Sequence, residues 1–108
     1  MKKRIVITTE FIASHAWFTC NLPDVGYLKN EHRHRFTVCM KWDVMHNDRE
    51  IEFISMKALV DVYISETFTN RFLENMSCED IAQNLFLKFN PVFISIFEDG
   101  ENGAEIEI

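Results

Sequence analysis

The sequence is poor in the residues that punctuate a chain. Its 108 residues hold three glycines and two prolines, and no low-complexity stretch, internal repeat or linker interrupts them. Residues 1–108 are therefore expected to form one domain. Basic residues are also in deficit, with eleven Lys and Arg against seventeen Asp and Glu, a formal charge of −6. That balance removes the counterion release that drives most nucleic-acid binding, so no nucleic-acid partner is expected. No apolar run approaches the roughly twenty residues of a membrane span, so no membrane partner is expected either. Close cysteine pairs are missing as well. Cys20, Cys39 and Cys78 are odd in number and far apart, which argues against a disulfide scaffold and for a soluble protein in the reducing cytoplasm. Met1-Lys2-Lys3-Arg4 carries the charge that opens a leader peptide, but the apolar stretch behind it breaks at Thr8-Thr9-Glu10. No small-residue cleavage site follows cleanly.

What the chain has in quantity is apolar surface: 47% of its residues are hydrophobic and ten are Phe. That is enough to offset the entropy of ordering a core. Arg4 to His15 is rich in β-branched and aromatic residues and reads as a strand. Asn21 to Glu31, with Pro23, Asp24, Gly26 and Asn30, reads as a loop. From His34 to Met45 the even positions Phe36, Val38, Met40, Trp42 and Val44 are apolar and the odd ones mostly polar, the signature of a half-buried strand. His46 to Arg49 predicts a turn, and Glu50 to Phe53 a short extended stretch.

Two helices are expected next. Met56, Leu59, Val60, Tyr63 and Ile64 recur at helical spacing and define the apolar face of the first. Ser77-Cys78-Glu79-Asp80 resembles a capping box with its acid shortened to Asp, and opens a second helix with the face Ile81, Ala82, Leu85, Phe86 and Phe89. Pro91 separates that helix from a strand ending at Glu98, and Gly100, Asn102 and Gly103 supply the turn into a last strand. Two strands, two helices and two strands describe an α+β protein with both helices on one face of a four-stranded antiparallel sheet. Such a sheet has bare edges, which a homo-oligomer closing into a barrel would pair.

The candidate chemistry lies in the histidines. His32 and His34 are two apart, so on an extended strand both imidazoles project to the face that carries Phe36 and Val38. His15 ends the first strand, and pairing of the two strands would let three imidazoles converge. Three neutral imidazoles with an open fourth position are how proteins hold a catalytic zinc. On the residues alone, the pair within His-Arg-His-Arg also fits ordinary surface or core imidazoles, or a basic tetrad that binds an anion.

Phe11-Ile12-Ala13-Ser14-His15 resembles the F-x-A-x-H, and His32-Arg33-His34-Arg35-Phe36 the H-G-H-x-Y/F, of the 6-pyruvoyl- and 6-carboxy-tetrahydropterin synthases. Glu52-Phe53 with Lys57 is similar to the family's D-F-x-x-L-K, Ser77 to Ala82 to its P-T-x-E-N-x-A, and Ile94 to Glu98 to the strand that ends in its glutamate. The set spans nearly the whole chain in the family's order. It implies the T-fold, a ββααββ unit assembled as trimers or hexamers, and zinc on His15, His32 and His34. It further implies a pterin- or purine-like small molecule, with Glu98 on its ring edge and Ser77 and Cys78 nearby. Taken by itself, Glu98 reads as a solvated turn residue beside Asp99 and Gly100.

The sequence departs from the family where the acid–base groups belong. Leu28 stands where the carboxy-synthases have their cysteine. Cys20-Asn21-Leu22-Pro23 is similar to the pyruvoyl-synthases' C-N-x-P but lies farther from His32, which makes Cys20 the one candidate catalytic thiol. The segment Ser65 to Asn70, after the first helix, lacks the family's Asp-His pair. Three readings follow: a divergent enzyme, a non-catalytic oligomer that binds or sequesters a ligand in the same pocket, or an oligomeric structural module whose site is dead.

Overall fold

Alternation along the second strand sets the architecture. In the computed structural model, which describes all residues from Met1 to Ile108, Phe36, Val38, Met40 and Trp42 are buried while their odd-numbered neighbours are not. They belong to β2 (His32–Val44), which pairs antiparallel with β1 (Lys3–His15) in a register running from Lys3 opposite Val44 to His15 opposite His32. β3 (Phe93–Glu98) pairs with the other side of β2, and β4 (Asn102–Glu107) with β3, giving one antiparallel sheet in the order β1-β2-β3-β4. Side chains of a strand alternate between faces. The register therefore puts Ile7, Phe11 and Ala13 on the same face as the β2 residues, together with Ile94 and Ile96.

Two helices cover that face. Val60 and Ile64 of α1 (Phe53–Thr67) and Ile81, Ala82 and Leu85 of α2 (Cys78–Phe89) complete the core. The ββααββ order, the four-stranded antiparallel sheet and the α+β class are those expected from the sequence. No helix is long and apolar enough to cross a membrane.

Three local expectations need correction. Helical spacing puts Leu59 on the buried face of α1, yet it is 61% exposed. The buried line runs through Val60 and Ile64, and at 3.6 residues per turn Leu59 lies about 100° from the first and about 140° from the second. The stretch from Glu50 to Phe53 forms no strand. Both carboxylate oxygens of Glu52 accept backbone N–H groups, from Ser55 and Ile54 at 2.9 Å each, so Glu52 caps α1 and Phe53 is already helical. The loop before β2 contains a short 3-10 helix, Pro23–Lys29, which Pro23 opens.

The capping box of α2 is present, with the Ser77 hydroxyl accepting Asp80 N–H at 3.1 Å and the Asp80 carboxylate accepting Ser77 N–H at 3.0 Å. Ser77→Ala is expected to cost about 1 kcal/mol, which a thermal melt followed by circular dichroism should show as a loss of several degrees.

The joint between the helices turns out to have a structural task. Asn70 N–H donates to Ile12 O (2.7 Å), Leu73 N–H to Ser14 O (2.7 Å) and Ala16 N–H to Glu74 O (2.7 Å). Residues 70–74 thus lie along the His15 end of β1 and bring Met76 and Ser77 up to the end of the sheet.

Candidate metal centre and adjoining cavity

Register assembles the site. His15 and His32 are direct cross-strand partners, and His34 lies two residues along β2 opposite Ala13, whose small side chain leaves the imidazole room. Glu98 is paired with Phe36 and shares the same face. The three imidazole rings meet edge to face, with centroids 4.6 Å (His15–His32), 5.0 Å (His32–His34) and 5.3 Å (His15–His34) apart. One potential ligand atom from each lies within 4.8 Å of the others.

Hydrogen bonds at the far nitrogens orient the rings. His15 Nδ1 donates to Met76 O at 2.7 Å, His32 Nδ1 to Asn30 O at 2.8 Å and His34 Nδ1 to the Asp99 carboxylate at 2.7 Å. Carbonyl and carboxylate oxygens only accept, so each neutral ring carries its proton on Nδ1 and its lone pair on Nε2. Bonds of this kind at the second nitrogen fix the tautomer of metal-binding histidines.

His15 Nε2 and His34 Nε2 are buried and make no hydrogen bond, although Glu98 oxygens lie 3.0 Å and 3.6 Å from them. A neutral imidazole's lone pair and a carboxylate repel one another, so the arrangement calls for a cation, either a proton or a metal ion. The proton's version is visible in the acidities. Burial alone would lower the His15 pKa, but the Glu98 carboxylate and the Met76 carbonyl outweigh it and raise it above the ordinary 6.5. The His15 contact in turn holds Glu98 below the ordinary 4.5 against the opposing effect of burial. The donor set also fits zinc, which takes three neutral imidazole nitrogens with their far sides tied off. His15, His32 and His34 could hold such an ion.

Beside the cluster opens a cavity of about 530 Å³ whose wall includes His15, His32, Glu98, Ser77, Cys78 and Trp17. Ser77 and Cys78, both singled out from the sequence, are there, and Glu98 is not a solvated turn residue, since its side chain is only 27% exposed. The Cys78 thiol is held in its protonated form. Burial first, then the adjacent Glu98 carboxylate, push its thiol up to about 12, so it stays protonated near neutral pH. Cys20, the candidate catalytic thiol, is not brought to this cavity. It is buried within its own loop, with Sγ 3.6 Å from Val25 O, because Cys20 N–H bonds back to Trp17 O and folds the segment inward. Leu28 does line the wall.

Sequence reasoning missed Asp99, the Met76 and Asn30 carbonyls, Trp17 and Asn75. Asp99 had a signal available in its place directly after Glu98. The carbonyls had none, because a backbone oxygen is the same in every residue.

This is an α+β protein with a three-histidine cluster at one end of its sheet, beside a cavity the size of a small-molecule pocket. Its fold is that of 6-pyruvoyl tetrahydropterin synthase. It superimposes on the Caenorhabditis elegans protein of that name with a TM-score of 0.80, at 15% identity, over 100% of this chain and 96% of the other. An uncharacterized protein from Wolinella succinogenes is similar at a TM-score of 0.79 and 11% identity, over 99% of this chain and 98% of that one. No protein-family model and no curated protein matches the sequence. The T-fold and the resemblance to the tetrahydropterin synthases, both read from scattered motifs, are borne out by this likeness of fold.

Proposed function

We propose that this protein is a tetrahydropterin synthase-like protein that binds zinc through His15, His32 and His34 and acts on a pterin- or purine-type ring held in the adjoining cavity. The observation that carries the reading is the convergence of three oriented imidazoles around an ionised, half-buried Glu98, with His15, His32 and Glu98 opening on one cavity. Glu98 accepts two hydrogen bonds from adjacent N–H groups on the ring edge, the recognition a carboxylate makes best. Its lowered pKa keeps it ionised for that purpose. Trp17 and Leu28 supply apolar wall, and Ser77 and Asn75 polar wall. Bound zinc would supply a Lewis acid toward a ligand oxygen.

Binding without the synthase reaction is the second reading, and the lining favours it. General acid–base work needs a group titrating near neutrality. With His15 and His32 taken up as metal ligands, the cavity's thiol is left with its pKa pushed up to about 12, and the one histidine outside the cluster, His46, follows the opposite end of β2.

The reading includes a homo-oligomer, trimer or hexamer. β1 and β4 are edge strands, and α1 exposes Ile54, Leu59 and Val62, a combination that association would cover. Three free cysteines suit a reducing compartment such as the cytoplasm.

Native mass spectrometry of protein purified without added metal tests the whole. One zinc per chain, an oligomer and a retained pterin or purine are expected. Incubation with dihydroneopterin triphosphate then separates the two readings, since turnover requires the enzyme. Absence of both zinc and ring binding in calorimetry would sink the proposal.

A further inference from the structure

We infer that Asp99 is the positioning residue of the cluster, setting the orientation and donor strength of His34. The three imidazoles are not held alike. His15 and His32 lean on neutral carbonyls, those of Met76 and Asn30, whereas His34 alone leans on a carboxylate.

Asp99 is itself fastened at three points. Its backbone N–H donates to Arg35 O at 2.7 Å, its Oδ1 accepts Arg35 N–H at 3.0 Å, and its Oδ2 accepts His34 Nδ1 at 2.7 Å. It thereby continues the β2–β3 pairing one residue past Glu98 opposite Phe36, with its side chain standing in for the ladder. The backbone there is left-handed, φ +55°, leading into Gly100 at φ +71°. Asp and Asn tolerate that conformation better than most residues with a Cβ.

A consequence follows from the adjacency of two acids. Glu98 Oε1 lies 3.6 Å from His34 Nε2 while Asp99 Oδ2 is on Nδ1 of the same ring. One dipeptide therefore addresses both nitrogens, and the turn that holds the ring anchor also aims a metal ligand. A carboxylate at the far nitrogen makes an imidazole a stronger donor than a carbonyl does, and loss of such a partner typically weakens metal affinity about 10–100-fold.

The zinc arm of the test rests on the function proposed above, and the tautomer arm does not. In Asp99→Asn the left-handed turn is retained, but one amide oxygen must serve either His34 or Arg35. Zinc affinity, measured by competition with a chromogenic chelator, should fall about tenfold, and in Asp99→Ala by up to about a hundredfold. In the metal-free proteins, ¹⁵N chemical shifts of the imidazoles should show His34 losing its Nδ1–H tautomer in Asp99→Ala while His15 and His32 keep theirs. A merely structural role would lower the melting temperature without singling out His34. Zinc affinity within twofold of wild type in both variants overturns the inference. If Asp99→Ala does not fold, Asp99→Asn decides alone by the same criterion. If wild type takes up no zinc, the functional reading fails and the tautomer decides: an unchanged His34 overturns the role of Asp99, and a shifted one upholds it.

Discussion

His34→Ala should abolish stoichiometric zinc, with affinity falling more than a hundredfold, beyond what loss of an outer partner costs. His34 supplies one of only three imidazoles in the cluster, and neither neighbour can replace it. Asp99 and Glu98 would then face the gap as two carboxylates without the ring between them. Metal analysis of purified protein gives the first readout and a thermal melt the second. A ligand that binds only the folded state stabilises it by about 2.7 kcal/mol at a hundred times its dissociation constant. Added zinc should therefore raise the melting temperature of wild type, a chelator should reverse the rise, and the variant should respond to neither. The variant itself should fold, because the His34 side chain is at the end of the sheet and the core is built from Phe36 inward. Equal zinc content in both proteins would mean that the imidazoles are grouped for another reason.

Glu98→Gln should weaken ring binding at least tenfold while leaving zinc in place. Charge-assisted hydrogen bonds contribute about 1.5–3 kcal/mol each, and the amide keeps one acceptor while presenting N–H₂ where the second is needed. Loss of one such bond is enough for the expected change, at about 1.4 kcal/mol per factor of ten. Calorimetry with pterins, guanine nucleotides and deazapurines measures it. Retention of zinc is the informative control. Glu98 approaches His15 Nε2 to 3.0 Å, so a variant that loses zinc and ring together would make this carboxylate part of the metal site rather than the ring anchor. Equal ring affinity in the two proteins would remove Glu98 from recognition altogether.

The parity of the site is written in local residue order. Alternation from Phe36 to Val44 fixes which face of β2 is buried, and that same parity carries back to His34 and His32. Nothing beyond a period of two is needed, because neighbouring side chains on a strand must point to opposite faces. The order of elements was legible for a similar reason. Helix faces, caps and turns are local, and Ser77 with Asp80 closes its capping box within one turn of chain. The phase of α1 was less legible. Its apolar residues run nearly all round, so periodicity alone could not say whether Leu59 or Val60 would meet the sheet.

Which residues meet across distance depends on long-range pairing. That His15 faces His32 depends on the register of two thirteen-residue strands, and a slip of one residue would turn every side chain to the other face. That Cys20 is shut into its own loop depends on a backbone bond to Trp17. That Met76 O meets His15 Nδ1 depends on the helix joint lying along β1, and a carbonyl carries no mark in sequence. Asp99 needed the pairing of β3 with β2 to bring it to Arg35 and His34, 64 and 65 positions earlier in the chain. Local periodicity assigns a residue to a face, but long-range pairing chooses its neighbours, and the chemistry of this site lies in the neighbours.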